Sequence, residues 1–207
     1  MLALLLLELS TNCYKETVML IAGVDEVGYG ALVGDVYAAA VILPNKHCII
    51  GIKDSKKLTA LQRQKLFTQI CAEAVAWSIG IASHVEIDKL NILYATLLAM
   101  QRAINALTIK PDKVLVDGNK CPQIDHPVEA IVGGDATIEA IAAASIIAKV
   151  SRDNSMIALD TLYPMYGFAQ HKGYGTKAHL QALQKYGALK QHRRSFAPVT
   201  AVTECVY

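Results

Sequence analysis

The 207-residue chain is 53% hydrophobic and only 18% charged, which excludes an intrinsically disordered protein and fits one main folded domain with an appendage. A net charge of +2 excludes a globally basic nucleic-acid binder, so any polyanionic partner must be held by a local patch. The five cysteines, Cys13, Cys48, Cys71, Cys121 and Cys205, are scattered without a C-x-x-C pair, which argues against a disulfide framework or a cysteine metal site and suits a reducing cytoplasm.

The apolar run Met1 to Leu7 falls short of the roughly 20 residues needed to span a bilayer. No basic residue precedes Lys15, so the run lacks the start of a secretory signal. Residues 1–18 are therefore expected to stand outside the fold, with Met19 as the natural start and no membrane partner. Next come two short apolar segments, Leu20 to Val24 and Val36 to Leu43, read as strands of a hairpin joined through a glycine-bearing turn. Thr59 and Gln62 have capping-box spacing, and Leu66, Phe67, Ile70, Cys71 and Ala74 recur at helical intervals toward Trp77. Ser78 to His84 reads as a third strand. Leu93, Leu97, Met100, Ile104 and Leu107 then mark an amphipathic helix.

Lys113 to Asp117 and Val128 to Val132 complete a sheet of about five strands. From Thr137 to Ala148 the residues are small or apolar on nearly every face, the pattern of a helix buried in the interior. The remaining third is polar, aromatic and broken by glycine, with a short helix from Lys177 to Tyr186 stopped by Gly187 and a basic stretch from Lys190 to Arg194.

Carboxylates sit where strands are expected to end. Asp25 and Glu26 follow an apolar strand and precede Gly28, Gly30 and Gly34; strand alternation would send the two side chains to opposite faces unless the chain is already bending. One side chain, with a neighbouring carbonyl, is expected to face a site. Asp117 repeats the pattern before Gly118, and Asp135 lies just ahead of the buried helix. Each also has a bland reading: a capped turn for Asp25 and Glu26, an Asp-Gly turn for Asp117, a helix-start carboxylate for Asp135. Gathered in one pocket the acids would repel one another unless cations were bound, and an all-oxygen set suits Mg²⁺ or Mn²⁺. Two such ions about 3.5 to 4 Å apart are suited to phosphodiester hydrolysis.

The glycines read G-x-G-x-x-x-G, which is not the dinucleotide fingerprint, and no phosphate-loop motif is present. Basic groups recur in three clusters: Lys53, Lys56 and Lys57; His171 and Lys172 with Tyr174; and His192, Arg193 and Arg194. Interleaved with hydroxyl donors, these clusters match the mixed phosphate and sugar contacts of nucleic-acid sites. The histidines lack metal-ligand spacing and are expected to be surface or hydrogen-bonding groups.

The ordered series GVDEVGYG, DSKKL, VLVDGN, GD-x(6)-AAASIIAKVSRD, YGFAQHKGYGT and HRRSFAPV closely resembles bacterial ribonuclease HII from about Leu20 to Val199. The resemblance implies an α/β, ribonuclease H-like fold: a mixed five-stranded sheet flanked by helices, with a catalytic domain over residues 19–160 and a small helical substrate-binding region over 161–207. It implies a cytoplasmic monomer that cuts the RNA strand of RNA–DNA hybrids, and cuts 5′ of ribonucleotides embedded in duplex DNA, using Mn²⁺ or Mg²⁺ and leaving 3′-hydroxyl and 5′-phosphate ends. By position, Asp25, Glu26 and Asp117 are implied as metal-binding catalytic acids and Asp135 as the fourth carboxylate. Gly28, Tyr29 and Gly30 are implied to read the 2′-hydroxyl through backbone groups, Tyr174 to stack on the next deoxyribose, and Ser55 and Lys56 to contact phosphate. Lys149 and Arg152 are expected to brace the acids. One departure stands out: the family's G-R-G-P is here Gly28-Tyr29-Gly30-Ala31, without the arginine. A binder that does not cut, and a related nuclease for DNA structures, are the two alternative readings.

Overall fold

The structure, a computed structural model, describes residues 19–53 and 55–204; the expectations for residues 1–18 and for Cys205 fall outside these. The strands are β1 (Ile21–Val27), β2 (Val36–Ile42), β3 (Ala76–Ala82), β4 (Lys113–Asp117) and β5 (Val128–Ile131). They form one mixed sheet in the order β3-β2-β1-β4-β5, antiparallel from β3 to β1 and parallel from β1 to β5. The helices are α1 (Ala60–Glu73), α2 (His84–Leu90), α3 (Ile92–Asn105), α4 (Glu139–Leu162), α5 (Phe168–His171), α6 (Lys177–Tyr186) and α7 (Ala197–Glu204).

Period-2 alternation sorts the strand residues onto two apolar faces. Ala38, Ala40 and Ile42 of β2 pack with Val24, Val114 and Val116 against Ala99, Met100 and Ala103 of α3. Ala39 and Val41, on the opposite face, pack against Ile70 of α1 and Ala143, Ile146 and Ile147 of α4. The small residues of α4 pack closely on the sheet, and Gly23 takes this furthest. A Cβ there would lie 2.1 Å from the Ala140 carbonyl carbon, so α4 rests directly on the β1 backbone.

Several expected bounds shift for local reasons. The third strand runs from Ala76, includes Trp77, and stops at Ala82 instead of His84. Ser83 and Glu86 form a capping box that starts α2, a helix absent from the sequence reading. The box at Thr59 and Gln62 is present, but α1 ends at Glu73, before Trp77. The buried helix starts at Glu139 and continues to Leu162, well past Ala148, because its polar residues Lys149, Arg152 and Asp153 find partners in the folded chain. α6 has the expected bounds, with Thr176 as N-cap and Gly187 as C-cap.

The β1–β2 pair is an antiparallel hairpin, but its connection, residues 28–35, is more than a turn. Ala31 bridges to Tyr174 and Val33 to His192, which draws the connection between two C-terminal segments. Two buried arginines hold it there. Arg152 donates to the carbonyls of Asp35 (3.2 Å), Val33 (3.2 Å) and Lys172 (2.9 Å). Arg193 donates to those of Gly34 (2.8 Å) and Tyr29 (3.0 Å) and lies over the Phe196 ring. Desolvation holds Arg152 below its ordinary range and brings Arg193 down to about 9, with the nearby Arg152 charge adding to the second shift.

Candidate active site

Parallel pairing sets Val24 beside Val116, so Asp25 and Asp117 come next on neighbouring strand ends. Asp135 reaches the same point from the 3₁₀ turn Gly134–Ala136, whose amides point back at the strand. The Gly134 N–H donates to Asp117 Oδ1 at 2.7 Å and the Asp135 N–H at 3.4 Å. One carboxylate oxygen from each of Asp25, Asp117 and Asp135 lies within 4.8 Å of the others. Asp25 is 4% exposed and Asp135 8%.

Such a cluster is electrostatically costly on its own. Burial pushes the Asp25 carboxyl well up, repulsion from Glu26 and Asp117 adds to this, and a hydrogen bond with Ser145 opposes it. Glu26 is raised to about 7, first by burial and then by Asp117, with Lys56 pulling the other way. The donor set is all oxygen, compact and anionic, so it fits a hard divalent cation.

A cleft of about 310 Å³ opens beside the acids, lined by Asp25, Glu26, Val27, Ser55, Lys56, Ser145, Lys149 and Tyr174. Asp25 and Glu26 thus border one space although β1 keeps its regular pairing with β2 through Val27, and of the two it is Asp25 whose carboxylate joins Asp117 and Asp135. The Ser55 hydroxyl meets Ser145 Oγ at 2.8 Å, and Ser55 is 3% exposed. Lys56 Nζ stands 3.5 Å from Asp135 while its side chain is mostly in solvent. Tyr174 closes the cleft beside the Gly28–Ala31 segment that it bridges.

The chain matches the family model for ribonuclease HII over residues 22–199. It belongs to the ribonuclease HII family. It is 60% identical over 181 residues to the ribonuclease HII of Acinetobacter baylyi, covering 87% of this chain and 96% of that protein. The enzyme of Shewanella amazonensis is 57% identical over 189 residues, covering 89% and 92%. Among solved structures, ribonuclease H2 from Pyrococcus horikoshii superposes with a TM-score of 0.76 at 30% identity, covering 90% of this chain and 98% of that one. The five-stranded mixed sheet with its helices is the fold of this group, and the protein is a metal-dependent endoribonuclease. Among the described residues no helix is long and apolar enough to cross a membrane.

Within the ribonuclease HII frame, some sequence expectations change. Arg152 directs its hydrogen bonds to loop carbonyls instead of bracing the acids, and Lys149 pairs with Asp153 at 2.7 Å. His192 and Arg193 are fully buried, which removes them from the basic clusters offered to phosphate. Ser145, whose hydroxyl meets Ser55 and opposes the rise of the Asp25 carboxyl, is a site residue that sequence reasoning misses. Its signal is a lone hydroxyl in the otherwise apolar run Ile141 to Ala148.

Proposed function

We propose that this enzyme hydrolyses the ribonucleotide strand of RNA–DNA hybrids and cuts 5′ of single ribonucleotides in duplex DNA, leaving 3′-hydroxyl and 5′-phosphate ends. The observation that carries this is the convergence of Asp25, Asp117 and Asp135 beside a cleft that Tyr174 lines, with Ala31 bridged to Tyr174. Asp25, Glu26 and Asp117 would hold Mn²⁺ or Mg²⁺, with Asp135 as the fourth carboxylate. Such cations, two in this reading, would supply positive charge at the phosphate and make an attacking water more acidic. The water oxygen bonds to phosphorus and the bond to the upstream O3′ breaks, so the phosphate stays on the ribonucleotide.

The chain's own residues position that phosphate. The Ser55–Lys56 turn meets the backbone, with Lys56 supplying a positive charge at the cleft edge, 3.5 Å from Asp135. The peptide groups of Gly28, Tyr29 and Gly30 contact the 2′-hydroxyl, where a Cβ at Gly28 would run into Arg152 Nε at 2.3 Å. The Tyr174 ring packs on the following deoxyribose, and residues 161–207 serve as the substrate-binding region around it.

The test offers a DNA duplex with one ribonucleotide, an RNA–DNA hybrid and a branched DNA, each with Mn²⁺ or Mg²⁺, and maps the cuts. Incision 5′ of the single ribonucleotide is expected. Cleavage of branched DNA alone, or tight binding without incision, rejects the proposal.

Tyr29 supplies a separate prediction. It is 44% exposed, so its side chain can face the duplex, while its backbone carbonyl accepts from Arg193. Tyrosine offers one hydroxyl where arginine offers a charged fork of donors. Tyr29→Arg should tighten binding and steepen log K against log salt by about 0.7 to 0.9, the worth of one phosphate contact. Titrations at several salt concentrations check this; an unchanged slope means the tyrosine does not mark a lost phosphate contact.

A further inference from the structure

Three histidines lie together away from the carboxylates. His179 and His192 are fully buried, and His171 stacks on His179 with ring centres 4.5 Å apart. The rings of Tyr166 and Phe168 enclose them. Their hydrogen bonds determine which nitrogen carries each proton. The Leu189 N–H donates to His192 Nδ1 at 2.9 Å, so neutral His192 holds its proton on Nε2. That proton faces His179 Nε2 at 3.2 Å, which must accept it. His179 therefore carries its own proton on Nδ1, 3.0 Å from the Tyr174 carbonyl, a group that can only accept.

His171 repeats the logic beside them. The Gly173 N–H donates to its Nδ1 at 3.3 Å, and its Nε2 donates to the Tyr166 carbonyl at 2.8 Å. All six imidazole nitrogens are matched when the three rings are neutral in these tautomers. Burial agrees, holding His179 below its ordinary range and His192 at about 4.

The chain of bonds ends on Tyr174, and it starts from a residue tied to the same segment. His192 bridges Val33 and Tyr174 bridges Ala31, so the histidine pair links the two C-terminal segments that flank residues 31–33. We propose that His192 and His179 form a positioning relay that fixes the Tyr174 backbone against the Gly28–Ala31 segment, and thereby sets discrimination between a ribonucleotide followed by deoxyribose and one followed by ribose. This rests on the reading of Tyr174 as the sugar-sensing residue. Neither histidine touches the reacting atoms.

A purely packing role makes the opposite prediction for two variants. His179→Asn places an amide donor where Nδ1 stood, whereas His179→Leu fills the space and donates nothing. The measured quantity is the ratio of kcat/KM on the two kinds of junction. Asn keeps the donor to Tyr174 but gives up the bond from His192, so the relay requires it to retain more of the ratio than Leu, which should lower the ratio about tenfold, the worth of a net hydrogen bond near 1.4 kcal/mol. Packing alone favours Leu and penalises Asn, and that outcome overturns the relay. Tyr174→Ala is measured in parallel: if it leaves the ratio unchanged, the sugar-sensing reading fails and takes the relay with it. If it lowers the ratio while His179→Leu does not, the relay alone fails. Long-range proton–nitrogen NMR of the unaltered protein gives a readout free of substrate. It should find His179 protonated at Nδ1 and His192 at Nε2, and the reverse tautomers overturn the proposal.

Discussion

Asp117→Asn should lower cleavage by at least about 10³-fold, the scale expected when several kcal/mol of transition-state charge stabilisation is lost with a metal ligand. Duplex binding should stay within a few-fold, because the lysines and the Tyr174 cleft are untouched. The fold should also survive, since the asparagine carbonyl can still accept from the Gly134 N–H that Asp117 Oδ1 now accepts. The same change should stabilise the metal-free protein. Glu26 has its pKa raised from 4.5 to about 7 in the folded state, by burial and then by Asp117. A raised folded pKa means its contribution is fully present below the unfolded value and is lost as pH rises through the folded one. Between about pH 4.5 and 7 that group alone can cost up to about 3 kcal/mol. In chelator at pH 8, Asp117→Asn should therefore unfold at higher denaturant than the unaltered protein, with the gap closing near pH 5. Added Mg²⁺ should favour the unaltered protein. Retained turnover, or a variant less stable than the parent at pH 8 in chelator, rejects this account of the acid cluster.

Arg152→Met should destabilise the protein by about 3 kcal/mol, lowering Tm by roughly 10 °C. Methionine fills much of the volume but leaves the carbonyls of Val33, Asp35 and Lys172 without the donor they share. Orphaned buried acceptors cost about 1 to 3 kcal/mol each, partly offset because a buried charge disappears as well. Arg152→Lys should recover little, since an ammonium cannot span three carbonyls set around a planar fork. Urea unfolding checks both, and a loss under about 1 kcal/mol for the methionine would mean that the carbonyls find other partners. Activity should fall through KM, because the guanidinium also lies over the Tyr174 ring, 5.5 Å from its centre.

The parts of the fold legible in the sequence are those written in local chemistry. β1, β2 and β4 are short β-branched or alanine-rich runs, and the capping residues Thr59 and Gly187 mark helix ends with their own hydrogen bonds and backbone angles. The meeting of Asp25, Asp117 and Asp135 was foreshadowed because each lies near the junction of an apolar run with a glycine-bearing one. What could not be read depends on distant partners. Arg152 reads as a brace for the acids and Arg193 as part of a basic cluster until residues 33–35 and 172 arrive to accept from them. The histidines of the C-terminal region show no spacing pattern, since their order comes from carbonyls and amides brought together only by the fold. α2 was missed for a simpler reason: the Ser83 and Glu86 box was absorbed into the end of an apolar strand.

α4 joins three jobs in one rod of 24 residues, about 36 Å long. Ser145, near its start, steadies an acid; Arg152, two turns on, grips the β1–β2 connection; Met156 packs into the Val33, Tyr166 and Phe168 cluster. Because the helix is continuous, the angle between these duties is set by counting residues. A single residue inserted after Ala148 would rotate everything downstream by about 100° and advance it by about 1.5 Å, turning Arg152 away from its carbonyls while leaving Ser145 in place. Substitutions along this helix can be tuned one at a time, but its length is a gauge, and an enzyme that shares it can drift in sequence far more readily than in spacing.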